Sequence, residues 1–209
     1  MRETDLPPKP DPRSGEPRPP HAPLERDWSG PEDKHKNGAT KVPRPPEGEG
    51  PILEWFCATQ GRGVYFIVIL LVIFIGFLTV RDGGFGWTTN WVLWAIMAPF
   101  VAFFWFFNRN TRMSGGADWF CYGTKSFIKT YELTEVKATT GGAARYLELK
   151  DRHGNALSAQ LNDLQLNREL WDLVYNGILH SIYIHGAETN QMAKDFLGLN
   201  LPPQYWQQR

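Results

Sequence analysis

The sequence predicts a membrane α-helical hairpin joined to a small α+β cytosolic domain and preceded by a disordered N-terminal tail. Three observations lead to this fold class. Thirteen of the 16 prolines lie in the first 51 of 209 residues. Two apolar runs of 17 residues each contain no charged side chain. The remaining C-terminal part shows strand patterns followed by an amphipathic helix pattern.

The tail comprises residues 1–62, which are dominated by proline, glycine and charged residues. Such a segment buries too little apolar area to offset the entropy of ordering, so we expect disorder with polyproline character. Its basic and acidic residues nearly cancel, which argues against a polybasic membrane anchor. Two interpretations stay open for this tail: a docking segment for a proline-recognising partner, or a solvated spacer.

The predicted hairpin occupies residues 63–108, with helices over about 64–80 and 88–107. A run of 17 residues extends about 25 Å as a helix, near the lower limit for crossing a bilayer. The link over 81–90 has ten residues, three of them glycine, and can only reverse the chain direction. Both termini therefore share one side. Basic residues outside the link predict that this side is the cytosol, and hence a multi-pass cell-membrane protein.

Small side chains are expected where the two helices pack closely, because lipid removes most of the hydrophobic attraction between them. The first run contains Gly76, and the second contains Ala95, Ala98 and Ala102. Gly76 and Ala95 lie twelve residues from the ends Val64 and Phe107, which predicts that they form the crossing point. Ala98 and Ala102 are the alternative seam, between chains of an oligomer. Neither run carries charge at depth, which favours an anchor over a transport pathway.

The C-terminal domain is predicted over residues 118–200, after a short linker from Met113 to Ala117. Aromatic and β-branched residues predict strands, and Asp151 to Gly154 forms a hairpin turn. Asn167 is the expected N-cap of a helix that ends near Gly186. A shorter helix is expected over about 189–197. The predicted strands cover 119–122, 127–139, 146–149 and 156–161.

Apolar residues at three- and four-residue spacing place one face of the long helix in the domain core. Aromatic residues of the helix and of the preceding strand broaden this core. The predicted core residues are Tyr131, Leu170, Trp171, Val174 and Ile178.

The stretch YLELKDRHGNALSAQLNDLQLNRELWDLVYNGI, residues 146–178, orders its elements as strand, tight turn, strand and helix. This order resembles the closing half of a small bacterial pleckstrin-homology-like domain, in which a C-terminal helix caps a strand barrel. The preceding KTYELTEVKATTGG would supply an earlier strand pair. The whole chain resembles two-span membrane proteins of actinobacterial type with a proline-rich head, a similarity that implies location rather than chemistry.

No catalytic or cofactor-binding pattern stands out in the sequence. There is no HExxH, no Cys-x-x-Cys and no phosphate-binding glycine loop. His180, His185 and Asp195 are considered as metal ligands, but histidines at helix ends are commoner, and no metal or cofactor is expected. Cys57 and Cys121 are expected to be inert thiols. A net charge of zero, from 22 basic and 22 acidic residues, argues against binding nucleic acid.

The sequence therefore predicts a non-catalytic integral membrane protein that presents a cytosolic interaction domain at the inner membrane face. Its expected partners are the lipid bilayer and a protein or lipid bound by that domain, and an oligomer is possible. The alternative is an accessory subunit of a larger envelope or transfer membrane complex.

Overall fold

A computed structural model describes residues 6–24, 42–57, 61–107, 111–123, 126–142 and 144–199. The chain divides into two compact units. Residues 1–57 and 111–209 form the first, called the α+β unit here. Residues 58–110 form the second, the helical unit.

The first sheet of the α+β unit is antiparallel throughout and follows the order β1-β2-β3-β4. Its first strand precedes the helical unit in the chain, and the other three follow it. The strands are β1 (Glu54–Cys57), β2 (Arg112–Gly115), β3 (Trp119–Tyr122) and β4 (Ser126–Lys129).

The second sheet follows the order β7-β6-β5-β8, with β8 parallel to β5 and the other neighbours antiparallel. Its strands are β5 (Leu133–Gly141), β6 (Ala144–Asp151), β7 (Ala156–Gln160) and β8 (Glu188–Thr189). Between β6 and β7, the Asp151 carboxylate accepts hydrogen bonds from the main-chain N–H groups of His153 and Asn155, both at 2.9 Å. Gly154 has φ +85°, the left-handed conformation that the predicted turn requires.

Three helices follow β7, with β8 between the last two: α3 (Leu161–Leu164), α4 (Arg168–Tyr183) and α5 (Gln191–Phe196). Asn167 caps α4 as predicted, because its side-chain oxygen accepts a hydrogen bond from Leu170 N at 3.1 Å. Asn190 caps α5 in the same way, accepting from Ala193 N at 2.8 Å.

Helix α4 packs closely on the connection between β4 and β5. A Cβ atom at Gly177 would lie 2.5 Å from the Cβ of Thr130. One turn later, the Ser181 hydroxyl donates to Thr130 O at 2.9 Å and accepts from Leu133 N at 3.0 Å. Each predicted core residue is at most 4 % exposed in this packing: Tyr131, Leu170, Trp171, Val174 and Ile178.

The structure differs from the predicted α+β domain in three places. The stretch expected as a linker contains β2, which pairs with both β1 and β3. The strand expected over 127–139 is two strands in different sheets, separated by Thr130 to Glu132. Residues 6–24 and 42–57 of the expected disordered tail pack against the rest of the α+β unit, and the second of these stretches contains β1. Residues 1–5, 25–41 and 58–60 of the tail lie outside the described residues.

The helical unit contains α1 (Gly61–Arg81), a 3₁₀ turn (Phe85–Thr89) and α2 (Trp91–Phe107). Trp87, in the turn, is 6 % exposed and donates its indole N–H to Thr79 Oγ1 at 3.2 Å. Its ring centroid lies 6.0 Å from that of Trp94, whose own indole N–H donates to Thr88 O at 3.0 Å. Tryptophan side chains therefore organise the reversal between the two helices.

Among the described residues, no helix combines the length and the apolar character that crossing a bilayer requires. The hydrocarbon core of a typical bilayer is roughly 30 Å thick. Helix α2 has 17 residues, or about 25 Å. The lack of a spanning helix among the described residues contradicts the predicted two-span membrane hairpin. It also contradicts the predicted multi-pass localisation in the cell membrane with cytosolic termini.

The small residues expected at the helix crossing are all exposed: Gly76, Ala95, Ala98 and Ala102. Within the described part of the chain, a Cβ atom at Gly76 would meet nothing within 4 Å. The described large side chains that are buried in this unit, Leu78 and Trp87, instead lie near or in the 3₁₀ turn.

We predict that Gly177→Ala destabilises the α+β unit. Replacing a helical glycine by alanine stabilises a helix by about 1 kcal/mol. Here the added methyl would overlap Thr130, because a Cβ atom at residue 177 would lie only 3.0 Å from the main-chain carbonyl carbon of Thr130. Overpacking of this kind costs about 1–3 kcal/mol. Thermal unfolding of the full chain should show a lower Tm. The control is Gly76→Ala, another helical glycine but in open space, which should not lower stability. An unchanged Tm for Gly177→Ala would contradict the close packing of α4.

An ion cluster beside the β6–β7 turn provides a pH test. Glu132 accepts hydrogen bonds from Arg152 Nε at 2.5 Å and pairs with His153 Nε2 at 2.8 Å. The bond from Arg152, aided by that from His153, lowers the pKa of Glu132 to about 2 against partial desolvation.

Between pH 4.5 and about 2, the unfolded chain therefore binds more protons at this carboxyl than the folded chain does. Its contribution to stability is complete above pH 4.5 and disappears as the pH falls through about 2. We predict that Glu132→Gln lowers the free energy of unfolding at pH 6, and that its difference from the parent chain vanishes near pH 2. Denaturant titrations across this range measure both. A constant difference would contradict the role of the charge.

Candidate functional site

Helix α4 buries its polar side as well as its apolar side. Asp172, Asn176 and His180 follow one another at four-residue spacing, which places them on one face of the helix. Their exposed fractions are 5 %, 2 % and 9 %. Buried polar side chains require hydrogen-bond partners, and part of the N-terminal tail supplies them here.

The covering segment is residues 6–24, called the proline segment below. Three side-chain N–H groups of α4 donate hydrogen bonds to proline carbonyls in it. His180 Nε2 donates to Pro7 O at 2.7 Å, and Asn176 Nδ2 donates to Pro8 O at 3.2 Å. Trp171 Nε1 bonds Pro23 O at 3.0 Å. The four α4 residues Trp171, Asp172, Asn176 and His180, together with Tyr131, are called the α4 surface below.

The proline segment runs antiparallel to α4, since Pro7 lies at the C-terminal end of the helix and Pro23 at its N-terminal end. The distance from residue 171 to 180 along the helix is about 14 Å, far shorter than the extended segment. A turn over residues 11–16 takes up the excess. In this turn, the Asp11 carboxylate accepts from the main-chain N–H groups of Arg13 and Ser14 at 2.9 and 2.8 Å.

Glycines allow the turn to pack against residues 50–53. Gly15 has φ +72°, and a Cβ atom there would lie 2.5 Å from the Leu53 side chain. A Cβ atom at Gly50 would lie 2.5 Å from Pro12 O. The turn is therefore held against a second stretch of the tail.

Asp172 binds the proline segment with both carboxylate oxygens. Oδ1 accepts from Ala22 N at 2.7 Å, and Oδ2 lies 2.8 Å from His21 Nδ1. Burial raises the pKa of Asp172, while the hydrogen bonds from Ala22 and His21 act in the opposite direction. The segment thus provides the donors that compensate for lost hydration of this carboxylate.

Two cations of the proline segment also contact the rest of the α+β unit. Arg18 Nη1 lies 3.1 Å from Glu54 Oε1, and the Glu54 side chain is 8 % exposed. Lys9 Nζ lies 4.6 Å from the centroid of the Tyr131 ring, within the range of a cation–π interaction. The Tyr131 hydroxyl accepts from Asn176 Nδ2 at 2.9 Å, which positions the ring beside the helix.

A second proline-containing stretch, residues 42–53, lies against the first sheet. Ser114 Oγ donates to Pro43 O at 2.7 Å, and Trp119 Nε1 donates to Gly50 O at 3.1 Å. Lys129 pairs with Glu49. Burial raises the pKa of Cys121, below this stretch, to about 11, so the thiol is protonated at neutral pH.

The predicted core residues Trp171 and Tyr131 also belong to the α4 surface, because Trp171 donates its indole N–H to Pro23 O and the Tyr131 ring faces Lys9. Sequence reasoning missed Asp172 and Asn176, although the four-residue spacing of polar residues was a readable signal. The sequence also brings His180, His185 and Asp195 into consideration as metal ligands, although no metal is expected there. In the part of the chain that the structure describes, no group of three or more His, Cys, Asp or Glu side chains is placed to hold a metal ion.

Comparisons with protein-family models, with curated proteins and with solved structures find no match to this chain.

We predict that Trp171→Phe loosens the proline segment without emptying the core. Phenylalanine keeps an aromatic ring but removes the N–H that binds Pro23 O. A hydrogen bond of this kind contributes about 0.5–1.5 kcal/mol, equivalent to a roughly 2- to 12-fold shift between bound and detached states. Hydrogen exchange of the Ala22 amide should accelerate by this factor.

The matched control is Trp94→Phe, which removes an indole hydrogen bond of equal length, 3.0 Å, in the helical unit. It should leave exchange at Ala22 unchanged. Equal acceleration in both variants would mean that Trp171 does not specifically hold the segment.

Proposed function

We propose that the α+β unit is a non-catalytic protein-interaction module whose α4 surface binds an extended proline-rich segment of a partner protein. One observation carries this proposal: three side-chain N–H groups of α4 each donate to the main-chain carbonyl of a proline. In this chain the bound example is the proline segment itself.

The chemistry matches the general recognition of polyproline structure. A polyproline helix has no internal hydrogen bonds, so its carbonyls are available to donors on a binding surface. Proline also fixes φ, which lowers the entropy lost when the segment binds. Aromatic side chains that donate hydrogen bonds complete such surfaces, as Trp171 does here with Pro23 O.

The covalent link makes the proline segment a strong competitor for its own surface. An attached ligand acts at a high effective concentration, commonly in the millimolar range for short flexible links. A partner segment therefore has to displace it, and binding in trans depends on how readily the segment detaches.

A second candidate function is that of an accessory subunit in a larger assembly. The exposed apolar side chains of the helical unit favour it, since contiguous apolar surface commonly marks a contact with another protein. The most exposed of these side chains are Val80, Trp91, Phe85, Ile96, Val72, Ile73 and Phe77. Analytical ultracentrifugation of the purified chain, alone and as isolated from its source, distinguishes a self-sufficient module from a subunit that requires others.

The test of the proposed module uses the full chain with a specific protease site introduced within residues 25–41. After cleavage, the N-terminal fragment stays in the sample but is no longer attached. A fluorescent peptide of residues 6–24 should then bind saturably, as measured by anisotropy, and Trp171→Phe should raise its Kd by about 2- to 12-fold.

A peptide of the same composition in scrambled order is the control and should bind far more weakly. If the labelled peptide neither binds nor exchanges with the cleaved fragment at millimolar concentration, the segment is a permanent part of the fold. That result would overturn the proposal.

A further inference from the structure

We infer that the partner segment is cationic as well as proline-rich, and that Glu54 and Asp172 select it by charge. This inference rests on the proposed function and specifies its ligand. It names one occupant, a basic proline-rich segment of another protein, which replaces the proline segment of this chain.

The two carboxylates are built into the α+β unit and nearly inaccessible. The Glu54 side chain is 8 % exposed and that of Asp172 is 6 % exposed. A buried carboxylate is costly unless a cation or several donors compensate for the lost hydration. In both cases the proline segment brings a basic side chain to the carboxylate, Arg18 at 3.1 Å and His21 at 2.8 Å.

In the proline segment, most of the basic side chains face the rest of the α+β unit and the acidic side chains face away from it. The segment's cations Lys9 and Arg18 and the imidazole of His21 contact the rest of the α+β unit, as described above, while its other cation, Arg13, is exposed in the turn. Its acidic residue Asp11 is turned into the segment's own loop, where main-chain N–H groups satisfy it. Glu16 lies 3.9 Å from Arg18 and is 67 % exposed, so it faces solvent beside the ion pair. The face that meets the surface is therefore basic.

The proline segment leaves one polar atom of the α4 surface without a hydrogen bond, so a segment that supplies this bond would bind more tightly. Among the described residues, Asn176 Oδ1 is buried without a hydrogen-bond partner. Pro7 and Pro8 lie opposite this part of α4, and neither has a main-chain N–H to donate. A buried acceptor without a partner weakens the bound state, which favours exchange with a segment that offers a donor there.

The experiment uses the cleaved full chain with its labelled fragment bound, and two unlabelled competitor peptides. One is residues 6–24, and the other carries Lys9→Gln, Arg18→Gln and His21→Gln. We expect the substituted peptide, which keeps Arg13, to compete at least about 10-fold more weakly at 50 mM salt, because hydrogen bonds to charged groups are the stronger ones. The difference should shrink in 0.5 M salt, which screens the exposed cations.

Variants of the surface localise the effect. Glu54→Gln combined with Asp172→Asn keeps the side-chain shapes and removes both charges, and discrimination between the peptides should fall to about 3-fold or less. Trp171→Phe is the matched control, since it weakens both peptides equally and preserves their ratio. If the charge variant does not fold, the salt dependence of the parent chain gives the same information.

The outcomes separate the two ideas. Displacement by both peptides with equal strength would overturn the cationic selection and leave the proline-binding module intact. Displacement by neither would overturn the proposed function itself. Stable dimers of the uncleaved chain that exchange their N-terminal segments would overturn the inference in another way, by making a second copy the occupant.

Discussion

The need to satisfy buried polar groups on α4 organises much of the α+β unit. Helix α4 is buried on every side, so the polar groups of Asp172, Asn176 and Ser181 have little access to water. An unpaired group of this kind costs about 1–3 kcal/mol. Ser181 forms hydrogen bonds with the main chain between β4 and β5, whereas Asp172 and Asn176 form hydrogen bonds with the proline segment. The packing of the helix and the docking of the tail are therefore linked.

The same solution appears twice. Trp171 and Trp119 lie in different elements, yet each donates its indole N–H to a main-chain carbonyl of a proline-containing stretch. A buried tryptophan needs an acceptor for this group, and an extended segment without secondary structure has carbonyls to offer. The tail thus supplies hydrogen-bond acceptors to buried side chains of the α+β unit. This role explains why a polar, proline-rich sequence packs against the unit in a defined position.

The sequence allowed most local structure of the α+β unit to be predicted, because periodicity and capping are local signals. The Asn167 cap, the Asp151 turn and the buried face of Leu170, Val174 and Ile178 are confirmed. Long-range pairing could not be predicted in this way. Strand β1 has four residues within a region of tail composition, and its partner β2 lies beyond the helical unit.

The membrane prediction relied on composition, and the described helices do not meet the length and apolar requirement for spanning. The binding surface was missed for a different reason. Asp172 and Asn176 have the pattern of the solvated side of an amphipathic helix, and nothing near them in sequence reveals covering residues at least 150 positions away. Trp171 and Tyr131 were placed in the core, where their rings are, but the partners of their polar atoms depend on the tertiary structure.

The separation between the proline segment and α4 has a consequence for the order of events during synthesis. Pro7 and His180 are 173 residues apart in the chain. At about 5–20 residues per second, the ribosome exposes the segment roughly 9–35 s before the helix that receives it. Strand β1 likewise cannot pair with β2 until the helical unit between them in the chain has been synthesised. The segment therefore spends much of translation without its own surface, accessible to any other protein that binds basic, proline-rich chains.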